Sequence, residues 1–152
     1  MSQIDTACRY FSAPDEYACR LLVEEFTDAI DAQQYERLRA VFTEDAVYAR
    51  PIAPDTLLQG LAAILAAFAT RPASRITCHL VTNVSIRFDS ADSARGRCGI
   101  VLYSSDSGMP ESAGKGRKAH GTQLIGEYAD RFVRTANGWR IAERRGRVLL
   151  HT

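Results

Sequence analysis

From residue 77 to residue 150 the chain reads as four long strand-like segments in succession. They are "TCHLVTNVSIRF" (77–88), "SARGRCGIVLYSS" (93–105), "GTQLIGEYADRFVRT" (121–135) and "GWRIAERRGRVLL" (138–150). Each mixes β-branched, aromatic and polar residues at a spacing near two, as a sheet with one buried face requires. The link "DSADS" is short and polar, and "TANG" carries Asn137-Gly138, so both read as hairpin turns. The middle link, "DSGMPESAGKGRKAH" (106–120), is rich in Gly, Ser and charge and predicts a long mobile loop, either a lid or a disordered stretch. Strands joined this way form an antiparallel meander, so any helices must come before it.

The first half supplies them. Ser12 followed by "APDE" predicts a helix start, with a capping hydroxyl and acids in the first turn. Ala18, Leu21, Leu22, Phe26, Ala29 and Ile30 then share one helical stripe, and the helix should run to about residue 31. "DAQQYERLRAVF" predicts a shorter helix with Asp31 as its cap, and "DAVYARP" a short strand stopped by Pro51. Gly60 precedes "LAAILAAFAT", a third helix ending near Arg71-Pro72. Helices first and a meander afterwards give an α+β domain of residues 1–152, with helices covering one face of a strongly curved sheet. A cavity between the two layers is the natural small-molecule site. The uncovered sheet face calls for a partner, and a second copy of the chain is the expected one.

Bulk numbers narrow the function. Nineteen basic against eighteen acidic residues give a formal charge of +1, which argues against a nucleic-acid or anionic-membrane partner. There is neither an apolar run long enough to span a bilayer nor a signal-peptide pattern at the start. Cys8, Cys19, Cys78 and Cys98 are scattered, which reads as buried reduced thiols in a cytoplasmic protein. Three scattered histidines, no Gly-rich phosphate loop and no G-x-S-x-G elbow leave no sign of a metal, an organic cofactor or a serine nucleophile.

The order "FTDAID…YERLRAVFTEDAVY", a Gly before an Ala-rich helix, "CHLVTNVSI" and "GEYADRFVRTANGWRIAERR" resembles the SnoaL-like branch of the nuclear transport factor 2-like superfamily, over roughly residues 13–150. The resemblance implies a cone-shaped, cystatin-like α+β fold, with a curved mixed sheet wrapped on three N-terminal helices, and a homodimer. In dehydratases of that superfamily an aspartate ending the first long helix pairs with a strand histidine. Asp31 in "AIDAQQY" and His79 in "CHLVTN" match them, and Tyr48 in "AVYARP" matches a phenol that polarises a carbonyl. Phe26 and Ile30 stand where those enzymes place Tyr or Trp.

A His–Asp pair in a dry pocket is a sensible general base, because the carboxylate fixes the imidazole tautomer and stabilises the imidazolium. Two alternatives stand beside it. Asp31, with Gln34 three residues on, also fits a capping box. Strict alternation puts His79, Val81 and Asn83 opposite Leu80, Val84, Ile86 and Phe88. His79 then faces the helices only if a bulge or sharp coil at the strand start resets the phase. Phe26, Tyr103 and Arg147 are candidate substrate-binding residues, although Arg145 and Arg147 also suit a salt-bridged face with Glu127 and Glu143. The leading expectation is cofactor-free proton transfer (dehydration, isomerisation or cyclisation) on a hydrophobic carbonyl or hydroxy compound, such as a polycyclic or aromatic metabolite. The other two are a non-catalytic subunit resembling the β subunits of aromatic-ring dioxygenases, and a binding protein whose His79 points away from its pocket.

Overall fold

A computed structural model describes residues 13–121 and 123–152; Cys8 and the capping Ser12 lie outside the described residues. Helix α1 (Ala13–Asp31) is followed by a single 3₁₀ stretch, Tyr35–Ala40, then by strands β1 (Phe42–Arg50) and β2 (Ala53–Gln59) and helix α2 (Leu61–Ala69). Strands β3 (Arg75–Ser90), β4 (Ser93–Asp106), β5 (Glu111–Ser112), β6 (Gly116–Arg117), β7 (Leu124–Thr135) and β8 (Gly138–His151) complete the chain. Six strands form one sheet in the order β2-β1-β8-β7-β4-β3. All neighbours are antiparallel except β1 and β8, so the sheet is mixed. No helix among the described residues is long and apolar enough to cross a membrane.

Helix α1 buries Cys19, Leu22, Val23, Phe26, Ala29 and Ile30 against the sheet. This stripe is rotated from the expected one, since Leu21 is exposed and Cys19 and Val23 take its place. Burial pushes the Cys19 thiol up to about 12, which keeps it protonated and inert. Cys78, by contrast, is exposed, so the expectation of uniformly buried thiols fails there. Helix α2 buries Leu61, Ile64, Leu65 and Phe68 beside β1.

The sequence reading needs three corrections between Asp31 and Gly121. The second helix is only one 3₁₀ stretch, its N-cap is Gln34, and no side chain caps it. Asp31 is therefore the last residue of α1 and not a cap. Strand β2 was unforeseen because Pro51 read as the end of the strand; β2 lies at the sheet edge, where its Pro54 leaves no ladder donor missing. Part of the expected mobile loop is ordered as the small β5–β6 hairpin.

Register shifts occur at several points of the sheet, and two of them position the site. In β3 the pairing with β4 shifts between Thr82 and Ser85. Asn83 sits there with a φ of 51°, a left-handed conformation that Asn tolerates better than β-branched residues. This bulge puts Thr77, His79 and Val81 on the same inner face as Val84, Ile86 and Phe88. In β8 the pairing with β7 slips between Arg131 and Phe132, leaving Ala142 as an extra residue. Trp139 and Ile141 face inward before it; Arg144, Gly146 and Val148 do so after it.

Candidate active site

The site begins at the C-terminal end of α1. Gln33 leaves the helix with a φ of 56°. Its side chain donates to the carbonyls of Arg75 (2.6 Å) and Ala73 (3.2 Å), which ties the helix exit to the start of β3. The Asp31 carboxylate is thereby set against the strand. Its Oδ2 accepts the backbone N–H of His79 at 2.7 Å, and its Oδ1 accepts the Thr77 hydroxyl at 2.7 Å. The His79 ring Nδ1 lies 2.6 Å from the same Oδ1. Burial alone raises a carboxyl pKa, but the hydrogen bonds from His79 and Thr77 outweigh it and hold Asp31 below the ordinary value of 3.8. The carboxylate can only accept, so Nδ1 carries the hydrogen of this contact, and in the neutral ring that tautomer leaves the lone pair on Nε2. The side chain of His79 is only 8% exposed.

The ring forms part of the wall of a cavity of about 190 Å³ between α1, α2 and the sheet. That is somewhat more than the ~150 Å³ of an engineered cavity that takes up benzene. Apolar surface comes from Ile30, Phe68, Ile100, Leu102, Leu124 and Val148. Tyr48 and Tyr128 supply the phenols, their hydroxyls 3.3 Å apart. Burial raises both phenol pKa values above the ordinary one, so both remain hydrogen-bond donors. Arg50, Arg71 and Arg75 also line the cavity.

Beneath the phenols lies an aromatic cluster centred on Phe26, which meets Phe42, Tyr48, Phe68 and Tyr128 edge-on at 5.6 to 6.1 Å between centroids. The fully buried Arg144 guanidinium is 4.3 Å from the Phe26 ring centre and 4.6 Å from that of Tyr128. It grips Asp130 through two bonds of 2.8 and 2.7 Å. Burial opposes the charge, but Asp130 outweighs it and raises the Arg144 pKa. This ion pair fixes the floor on which the phenols rest.

Three expected site residues lie elsewhere. Phe26 is under the floor and not on the cavity wall. Tyr103 falls on the opposite face of β4 from Ile100 and Leu102, in a separate groove with Cys78 and Arg117. Arg147 points outward because of the slip at Ala142, and its Nε donates to Glu127 at 2.7 Å. Sequence reasoning missed Tyr128, Arg50, Arg71, Arg75 and Thr77. Alternation carried a usable signal for three of these: Arg50 is two residues past Tyr48, and Thr77 and Arg75 are two and four before His79.

A SnoaL-like domain model matches residues 12–145. No curated protein matches the chain. Among solved structures, the Kfla4162 protein of Kribbella flavida superposes with a TM-score of 0.75 at 21% identity, covering 91% of this chain and 93% of that one. A Novosphingobium aromaticivorans protein proposed to be a scytalone dehydratase gives 0.69 at 23%, covering 90% and 85%. A type 2 hexachlorocyclohexane dehydrochlorinase gives 0.71 at 20%, covering 93% and 92%. At these identities the superpositions speak for the fold, which is the cystatin-like fold of the nuclear transport factor 2-like proteins. With the family model spanning nearly the whole chain, the protein belongs to the SnoaL-like domain family.

Proposed function

We propose that this protein is a small-molecule enzyme that performs cofactor-free proton transfer, with His79 as general base, Asp31 as its orienting partner, and Tyr48 with Tyr128 as donors to a carbonyl oxygen. The observation that carries the reading is the 2.6 Å His79–Asp31 contact in the wall of a mostly apolar cavity. In a dehydration, Nε2 removes the hydrogen next to a carbonyl while the phenols stabilise the enolate oxygen. The imidazolium, stabilised by Asp31, then returns that proton to the departing β-hydroxyl, which leaves as water. Isomerisation and cyclisation share the first step. The names of two solved relatives, one proposed to be a scytalone dehydratase and the other a hexachlorocyclohexane dehydrochlorinase, both denote eliminations, which supports this reading. The cavity volume favours a one-ring substrate over a polycyclic one. The alternative is a binding protein whose His79 points away from the pocket; the presence of His79 among the residues lining the cavity supports the catalytic reading.

The test is deuterium uptake from solvent and water loss, followed by NMR, over a panel of one-ring β-hydroxy ketones and β-hydroxy acids. His79→Ala should slow both by about a hundredfold or more, the usual worth of a positioned base. A His79→Ala protein as fast as the unaltered chain contradicts the assignment, as does a wild type inert to the whole panel.

A further inference from the structure

The cavity wall contains three guanidinium groups, and among the described residues no carboxylate pairs with any of them. Most other arginines of the protein are in ion pairs. Five described arginines are not, and three of those, Arg50, Arg71 and Arg75, line this one small cavity. Their placement follows from the fold. Arg50 continues the inward register of Tyr48 along β1, and Arg75 precedes Thr77 and His79 on the inward register of β3. Arg71 comes from the turn after α2. The Arg50 and Arg71 guanidinium carbons lie 5.8 and 5.9 Å from the centre of the same Phe68 ring. Arg50 spends one donor on the Ala67 carbonyl at 2.9 Å.

Unpaired cations gathered beside an apolar hollow repel one another, an arrangement that a bound anion relieves. Burial lowers the Arg71 pKa and the charge on Arg75 adds to the effect, against a weaker opposing pull from Tyr35, Tyr48 and the Asp31 carboxylate. We propose that the molecule taken by this cavity is a compact carboxylate, its apolar body inside and its carboxylate held at the mouth by Arg50, Arg71 and Arg75. A flat monoanion suits the guanidinium fork, whereas a phosphate dianion would meet more repulsion from the nearby Asp31 carboxylate. The inference adds a substrate class to the proton-transfer reading and rests on that reading for what the bound acid undergoes. For that chemistry the bound acid carries a second, separate carbonyl at the phenols, and the C–H beside it is presented to His79 while the arginines hold the carboxylate.

Binding of inert probes to the full chain, measured by calorimetry, tests this without any chemistry. The probes are cinnamate, cinnamamide and phenyl phosphate. Cinnamate should bind at least tenfold more tightly than its neutral amide, as expected for charge-assisted hydrogen bonds to a carboxylate. Arg71→Gln and the more exposed Arg75→Gln should each weaken cinnamate by about tenfold or more. Arg87→Gln, which removes the same charge from the outer sheet face, should leave it unchanged. Equal binding of acid and amide overturns the inference, and so does tighter binding of phenyl phosphate or no binding of any probe at millimolar concentration. Because cinnamate binding requires no proton transfer, an intact acid preference in a chain that fails the deuterium assay overturns only the catalytic reading.

Discussion

An acid in the last turn of a helix opposes the helix dipole, at a cost of about 0.3–1 kcal/mol. Asp31 occupies that position and is retained there by His79 and Thr77, whose hydrogen bonds offset the cost. Locally unfavourable placements of this kind concentrate at functional sites. The bonds also make Asp31 a source of pH-dependent stability. Its carboxyl pKa is lowered in the folded chain, so its contribution is fully present above the ordinary value of 3.8 and is lost as pH falls through the folded value. Urea unfolding should therefore show Asp31→Asn less stable than the parent at pH 6, with the gap closing below about pH 3.8. A gap that does not change with pH would mean that the carboxylate is not held by these bonds. The pair was legible in the sequence through the resemblance, while the residues alone left Asp31 equally well read as a cap. What decided between the two was the length of the second helix, which a six-residue segment cannot announce.

At the scale of strands, the sequence is legible as far as alternation holds. The four long segments were found because their apolar residues recur at the sheet period. The faces were misassigned wherever a bulge inserted one residue. His79 was expected outward unless the phase was reset at the strand start; the reset occurs instead at Asn83, further along β3. Arg147 was read both as a pocket residue and as a member of a salt-bridged face with Glu127; its bond to Glu127 agrees with the second, and nothing in "WRIAERRGR" marks Ala142 as the extra residue that turns it outward. The amide in β3 thus has a backbone role. Asn83→Val should cost about 1–3 kcal/mol in urea denaturation, whereas Asn83→Gly should be nearly neutral. Equal effects would show that the left-handed turn does not hold the phase. In β8, Gly146 lies so close to the end of β1 that a side-chain carbon would sit 2.6 Å from the Pro51 ring. Gly146→Ala should therefore push the strands apart and destabilise the protein by about 1–3 kcal/mol. A neutral result would mean that the cavity rim is looser than this packing.

Taken whole, the molecule covers one face of its sheet with helices and leaves the other open. The order of segments made this architecture readable in advance, because a meander that follows helices has few ways to bury its face, although the second of the three expected helices is only a 3₁₀ stretch. The open face carries Arg87, Arg95, Arg97, Arg131, Arg145 and Arg147 against Asp89, Glu127 and Glu143. A homodimer through this face is the expected assembly. Light scattering after size exclusion should give twice the 16.8 kDa chain mass. Because arginine is in excess on both copies, added salt should tighten the association by screening their repulsion. A trimer, or a chain recovered only with a larger partner, would favour the dioxygenase-subunit reading instead. The catalytic account rests on the state of a single ring, and a two-bond ¹H–¹⁵N spectrum of His79 at pH 8.5, where imidazole is ordinarily neutral, reads that state directly. The expected result is hydrogen on Nδ1 and a bare Nε2, with the tautomer released in Asp31→Asn. A spectrum with the hydrogen on Nε2, unaltered by Asp31→Asn, would contradict the account.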